Sequence, residues 1–61
     1  MWTANYHAAK DEAYACDRIT RTAWVVLHDA RINKFRVVEL AEYRKTADAW
    51  TGTTIAHQTR K

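Results

Sequence analysis

Large aliphatic side chains are scarce: among 61 residues only ten are Leu, Ile, Val or Phe. They are Ile19, Val25, Val26, Leu27, Ile32, Phe35, Val37, Val38, Leu40 and Ile55. The apolar content of 48% overstates this resource, because 11 of the apolar residues are alanines. A chain of this length buries only about 60% of the surface its unfolded form exposes. The core must therefore be thin, and Trp2, Trp24, Trp50, Tyr6, Tyr14 and Tyr43 must supply much of its area. Small scaffolds compensate with disulfides, a structural metal, oligomerisation or unusually good packing. Cys16 is the only cysteine, which excludes an intramolecular disulfide and fits a reducing compartment, so the cytoplasm is the expected location.

A net charge of +3 falls short of the charge excess that accompanies disorder, and the chain reads as one folded unit spanning 1–61. The N-terminus, Met1-Trp2-Thr3-Ala4-Asn5-Tyr6-His7, lacks the basic start and apolar stretch of a secretory signal. The longest apolar run, Ala23 to Leu27, is far below the roughly 20 residues a membrane-spanning helix requires. No membrane is expected among its partners, and the opening Met suggests a short independent reading frame.

Periodicity divides the chain. Tyr6, Ala9, Ala13 and Cys16 follow helix spacing, with Thr3 or Asn5 available as N-cap, and the charged Lys10, Asp11, Glu12, Asp17 and Arg18 fall off that stripe toward solvent. From Ile19 to His28 β-branched and aromatic residues dominate, and Phe35 to Leu40 is a second such run. Between them, Asp29 and Asn33 suit turn or left-handed conformations, so the two runs read as a hairpin despite the absence of glycine. Leu40, Tyr43, Ala47 and Trp50 restore the helix period, with Glu39 and Glu42 in the first turn and Gly52 as the stop. Thr53 to His57 suits a short third strand, and 58–61 is expected to fray. The expected fold is a small α+β domain of helix, β-hairpin and helix. An all-α small bundle is the alternative, since Cys16, Ile19, Ala23, Val26, Leu27 and Ala30 also match a helix stripe.

In the hairpin, alternation sends Val25 and Leu27 to one face and Trp24 and Val26 to the other, with Phe35 and Val37 opposed to Val38 and Leu40. Both faces are apolar. Two short helices must cover one each, or one face stays open as a dimer or partner surface; the open face is the expectation.

Candidate binding residues follow from composition. Interface hot spots favour Trp and Arg, which nominates Trp24, Phe35 and Trp50 with Arg31, Arg36 and Arg44 as protein-partner anchors. The basic cluster Arg31, Lys34, Arg36, Arg44 and Lys45 is the nucleic-acid alternative, in which phosphates meet the cations and bases stack on nearby rings. Its spacing fits no recognised motif, and Glu39, Glu42 and Asp48 are interleaved. For catalysis the candidates are His7, His28, His57, Cys16, Asp11, Asp17 and Asp29, which form no recognised signature. His7 and Asp11, four residues apart, are too few ligands for a metal, and Cys16 on the apolar stripe is expected to pack as an inert thiol. With one Gly and no Pro there is no phosphate-cradling loop, so neither enzyme activity nor a cofactor is expected. The sequence therefore points to a small regulatory or inhibitory protein that docks onto a larger protein or joins a complex as an accessory subunit, with homodimerisation compatible with either role.

Overall fold

The computed structural model describes residues 2–60. Helix α1 (Tyr6–Thr20) is followed by strands β1 (Trp24–Asp29) and β2 (Lys34–Glu39), helix α2 (Leu40–Lys45), a 3-10 helix (Ala47–Trp50) and strand β3 (Thr53–Gln58). The sheet is antiparallel with order β2-β1-β3. This is the expected α+β arrangement with the third strand present; of the alternative helical stripe, Cys16 and Ile19 lie in α1, so that the run expected as strand from Ile19 is β structure only from Trp24, while Val26 and Leu27 lie in β1, and the all-α bundle is excluded.

Helix α1 starts where Asn5, in extended backbone, accepts the Ala8 N–H on its side-chain oxygen at 3.0 Å. It stops at Arg21, whose left-handed φ of 57° turns its N–H onto the Asp17 carbonyl. The hairpin turn does without glycine because Asn33 takes the positive φ, 51°, a conformation its short polar side chain tolerates. His28 Nε2 and Asn33 Oδ1, 3.0 Å apart, tie the turn to β1.

β1 is the centre of the molecule. Val25, Val26 and Leu27 are fully buried, and each side of the strand has its own cover. Val26 packs under Ala9 and Ala13 of α1, with Tyr6, Trp24, Phe35 and Val37 around them. The two alanines let the helix backbone approach the sheet closely. Val25, Leu27 and Val38 lie on the opposite face under Leu40, Tyr43 and Trp50. The expected alternation is thus observed, but the open apolar face is not: α1 covers one face and the α2/3-10 segment the other. Of the large aliphatics only Ile19, Ile32 and Ile55 are exposed.

Four further expectations are corrected. The second helix does not run on to Trp50: α2 ends at Lys45, Thr46 adopts φ −118° and ψ 36°, and a 3-10 turn follows. Thr46 explains the break, because its hydroxyl donates to the Glu42 carbonyl and accepts the Trp50 indole N–H at 3.0 Å. Glu39 is not a first-turn charge but the extended N-cap residue of α2, and its carboxylate accepts the Thr22 hydroxyl at 2.7 Å. Asp17 is buried rather than solvated: one turn beyond Ala13, it continues the inward line Tyr6, Ala9, Ala13. Its carboxylate accepts the Thr59 hydroxyl at 2.7 Å and a bidentate pair from Arg60 at 2.9 and 2.7 Å. The same contacts hold the segment expected to fray: Gln58 closes β3, and the Thr59 N–H donates to the Trp24 carbonyl at 2.9 Å. Lys61, the last residue of that segment, lies outside the described residues.

Candidate macromolecular interface

The cations of interest are placed by the hairpin register. Lys34 pairs with Asp29 and Arg36 with Leu27 across the β1–β2 ladder, which puts both basic side chains on the α2 face of an outer strand. Two residues apart on one strand, their Cα atoms are separated by roughly 7 Å. Arg36 lies with its guanidinium carbon 5.1 Å from the centroid of the Trp50 ring. That ring is fixed from the other side by the core, and at its edge by the bond to Thr46. The cation therefore lies over an aromatic ring, a cation–π arrangement that restrains a side chain otherwise rich in rotamers.

Arg31 projects from the hairpin turn and is ion-paired. Its Nε and Nη2 donate to Asp29 at 3.2 and 3.0 Å, and its backbone N–H donates to the same carboxylate at 2.9 Å. These bonds hold the Asp29 carboxyl below the ordinary carboxylate range and push Arg31 up. The guanidinium rests against Gly52, where a Cβ would stand 3.5 Å from its central carbon. Gly52 has φ 87°, so this turn both requires glycine and provides a floor for Arg31. Arg44 and Lys45 are exposed in the last turn of α2. Among the described residues the ion pairs are Arg31–Asp29 and Arg60–Asp17; Lys34, Arg36, Arg44 and Lys45 have no carboxylate partner.

The structure therefore joins Trp50, Arg31, Lys34 and Arg36 on one side of the sheet, beside the helix carrying Arg44 and Lys45. It does not bring Trp24 and Phe35 to them. Both lie half-buried on the α1 face, Trp24 donating its indole N–H to Thr20 at 2.8 Å and Phe35 tilted against Tyr6 and His28 with centroids 5.4 and 4.8 Å away.

The groups suited to catalysis are dispersed. His7 and Asp11 are exposed on α1. His57 Nε2 sits 2.8 Å from the Tyr14 hydroxyl, linking β3 to α1. Cys16 is half-buried, and burial together with the nearby Glu12 carboxylate pushes its thiol pKa up. Among the described residues no cavity forms, and no three His, Cys, Asp or Glu side chains gather as metal ligands. No helix is long and apolar enough to cross a membrane.

Sequence reasoning missed the Asp17–Thr59–Arg60 clamp, although the spacing of Asp17 from Ala13 and Ala9 carried the signal. It also missed the seating of Arg36 on Trp50, which no local pattern reports because the partners lie in different elements. Compared with known proteins, the chain matches no family model, no curated protein and no solved structure.

Proposed function

We propose that this chain is a small, non-catalytic regulatory or inhibitory protein of the cytoplasm that docks onto an acidic surface of a larger protein. Its α2 face is the binding face, Arg36 is the anchor, and Lys34, Arg44, Lys45 and the ion-paired Arg31 surround it. The observation that carries this reading is the Arg36–Trp50 cation–π contact amid cations that, among the described residues, have no carboxylate partner. A guanidinium restrained over a ring can offer its fork for bidentate contact with a carboxylate at reduced entropic cost, and Arg and Trp are the residue types that dominate interface energetics.

The same observation weighs against direct nucleic-acid binding through a stacking platform, since Arg36 already occupies the ring face a base would need. Four of the seven titratable groups that could serve chemistry are engaged in the fold, His28 with Asn33, His57 with Tyr14, Asp17 with Arg60 and Asp29 with Arg31, and the other three, His7, Asp11 and Cys16, lie along α1.

Affinity capture from nuclease-treated native lysate tests the reading, with wild type beside an Arg36→Glu/Arg44→Glu variant. The expected result is one protein retained by wild type and lost by the variant. For that purified protein, Arg36→Ala weakens binding by about 2 kcal/mol, roughly thirtyfold. Retention of the same protein by the double variant, or a capture that succeeds from untreated lysate and is lost once the lysate is nuclease-treated, would overturn it.

A further inference from the structure

We propose that β3 is a self-pairing edge, through which two copies of this chain join antiparallel about a two-fold axis at Thr54. The two outer strands of the sheet differ in how they are protected. At β2 the edge is covered: Thr3 exchanges both backbone hydrogen bonds with Phe35, at 2.8 and 2.6 Å, and the strand carries Lys34, Arg36 and Glu39. At β3 the outer edge has no backbone partner among the described residues. It lies within Ala49 to Thr59, the longest stretch of the chain without Lys, Arg, Asp or Glu. Exposed edges are normally blunted by charge, proline, a bulge or cover; here the bulge at Ala56 blunts the far half of the strand, and Thr53 to Ile55 carries neither charge nor proline.

The bonding pattern fixes the register. Because the Phe35 backbone groups face outward to Thr3, the β1 residues whose groups face β3 are those alternating with Val25 and Leu27. The Trp24 carbonyl agrees, accepting from Thr59. His28 therefore bonds its register partner Thr54, and the backbone groups of Thr53 and Ile55, on either side, face solvent. A two-fold axis at Thr54 sets Thr53 of one copy opposite Ile55 of the other, and each exchanges both backbone bonds with its counterpart.

Ile55, 42% exposed on the α2 face, then packs against a β-branched Thr53, a favourable cross-strand pair. A second copy is the occupant this register fits, since the outward backbone groups of Thr53 and Ile55 complement each other about the axis and no like charges oppose one another along the paired stretch. The register skips Ala56 between His57 and Ile55; this bulge ends the regular edge and keeps the matched segment short. The dimer is accordingly of the small-interface, weakly associating class, and it leaves the α2 face of each copy free.

Sedimentation equilibrium across a series from low micromolar to millimolar, with crosslinking by engineered cysteines, tests this. The wild-type mass is expected to rise from 7.1 kDa toward twice that value, while Ile55→Lys stays monomeric with an unchanged circular dichroism spectrum. In a Cys16→Ala background, Thr54→Cys lies on the axis at a non-hydrogen-bonded pair, where opposing Cβ atoms are roughly 4.5–5.5 Å apart. It should form the intermolecular disulfide at least about tenfold faster than Ile19→Cys, which reports random collision from an exposed position on α1. A wild type that stays monomeric at millimolar concentration, or a Thr54→Cys no faster than Ile19→Cys, would overturn the proposal.

Discussion

Replacing Leu27 by Ala isolates the role of the cover on the second sheet face. Leu27 is fully buried on the central strand, beneath Leu40, Tyr43 and Trp50. Removing a buried Leu side chain to Ala costs about 2–5 kcal/mol, through lost transfer energy and the cavity left behind. Native domains hold about 0.05–0.15 kcal/mol per residue, so a chain of this length has a total of roughly 3–9 kcal/mol. The substitution thus removes a large share of the stability.

With a urea slope near 1 kcal/mol/M for small proteins, the midpoint falls by roughly 2 M or more. Ile55 pairs with Leu27 across the β1–β3 ladder and shares its face, but is 42% exposed; Ile55→Ala costs under about 1.5 kcal/mol because much of the side chain remains in water in the fold. Urea titrations followed by far-ultraviolet circular dichroism and tryptophan fluorescence measure both. Equal losses for the two variants, or a Leu27→Ala loss below about 1 kcal/mol, would refute the claim that α2 and the 3-10 helix seal this face.

Other perturbations test separate parts of the account. The Arg60 and Thr59 bonds hold the Asp17 carboxyl down to about 2, below the ordinary 3.8. A depressed carboxyl stabilises the fold above its unfolded value, so this contribution is present above about pH 4 and lost as pH falls toward 2. Asp17→Asn should flatten the acid limb of the stability curve, with a residual slope left by Asp29. A limb as steep as wild type would contradict the clamp. Asn5→Ala removes the N-cap bond and should cost about 1 kcal/mol, read as a lower thermal midpoint. Arg21→Gly relieves a non-glycine left-handed residue at the end of α1 and should gain about 0.5–1 kcal/mol, a rise of roughly 2–8 °C.

Much of the fold was legible in residue order. The Tyr6–Ala9–Ala13 spacing marked α1, and alternation from Trp24 to Leu27 and from Phe35 to Leu40 assigned the sheet faces. Asn33 replaced the missing turn glycine because local polarity and left-handed tolerance are written in one residue. What sequence spacing could not show was set by tertiary partners. Thr46 breaks the second helical stripe because Trp50 and Glu42 both bond its hydroxyl, and helix period alone gives no sign of that. The charge on Asp17 argued for solvent, while its place on the stripe argued for burial; burial won because Arg60, more than forty positions away, supplies the counter-charge. At the candidate interface, the basic residues were recognisable as a cluster. Alternation along β2 already set Phe35 on the face opposite Lys34 and Arg36, while the placing of Trp24 on that same far face followed from strand register.

The most direct test of the docking account is a nitrogen–proton correlation spectrum of the labelled chain, titrated with the captured partner. The Arg36 Nε–H and the Trp50 indole N–H are expected to shift together and saturably, while the Trp24 indole, bonded to Thr20 on the opposite face, stays in place. Shifts confined to Trp24 and α1, with Arg36 and Trp50 unmoved, would contradict the assignment of the α2 face as the binding surface.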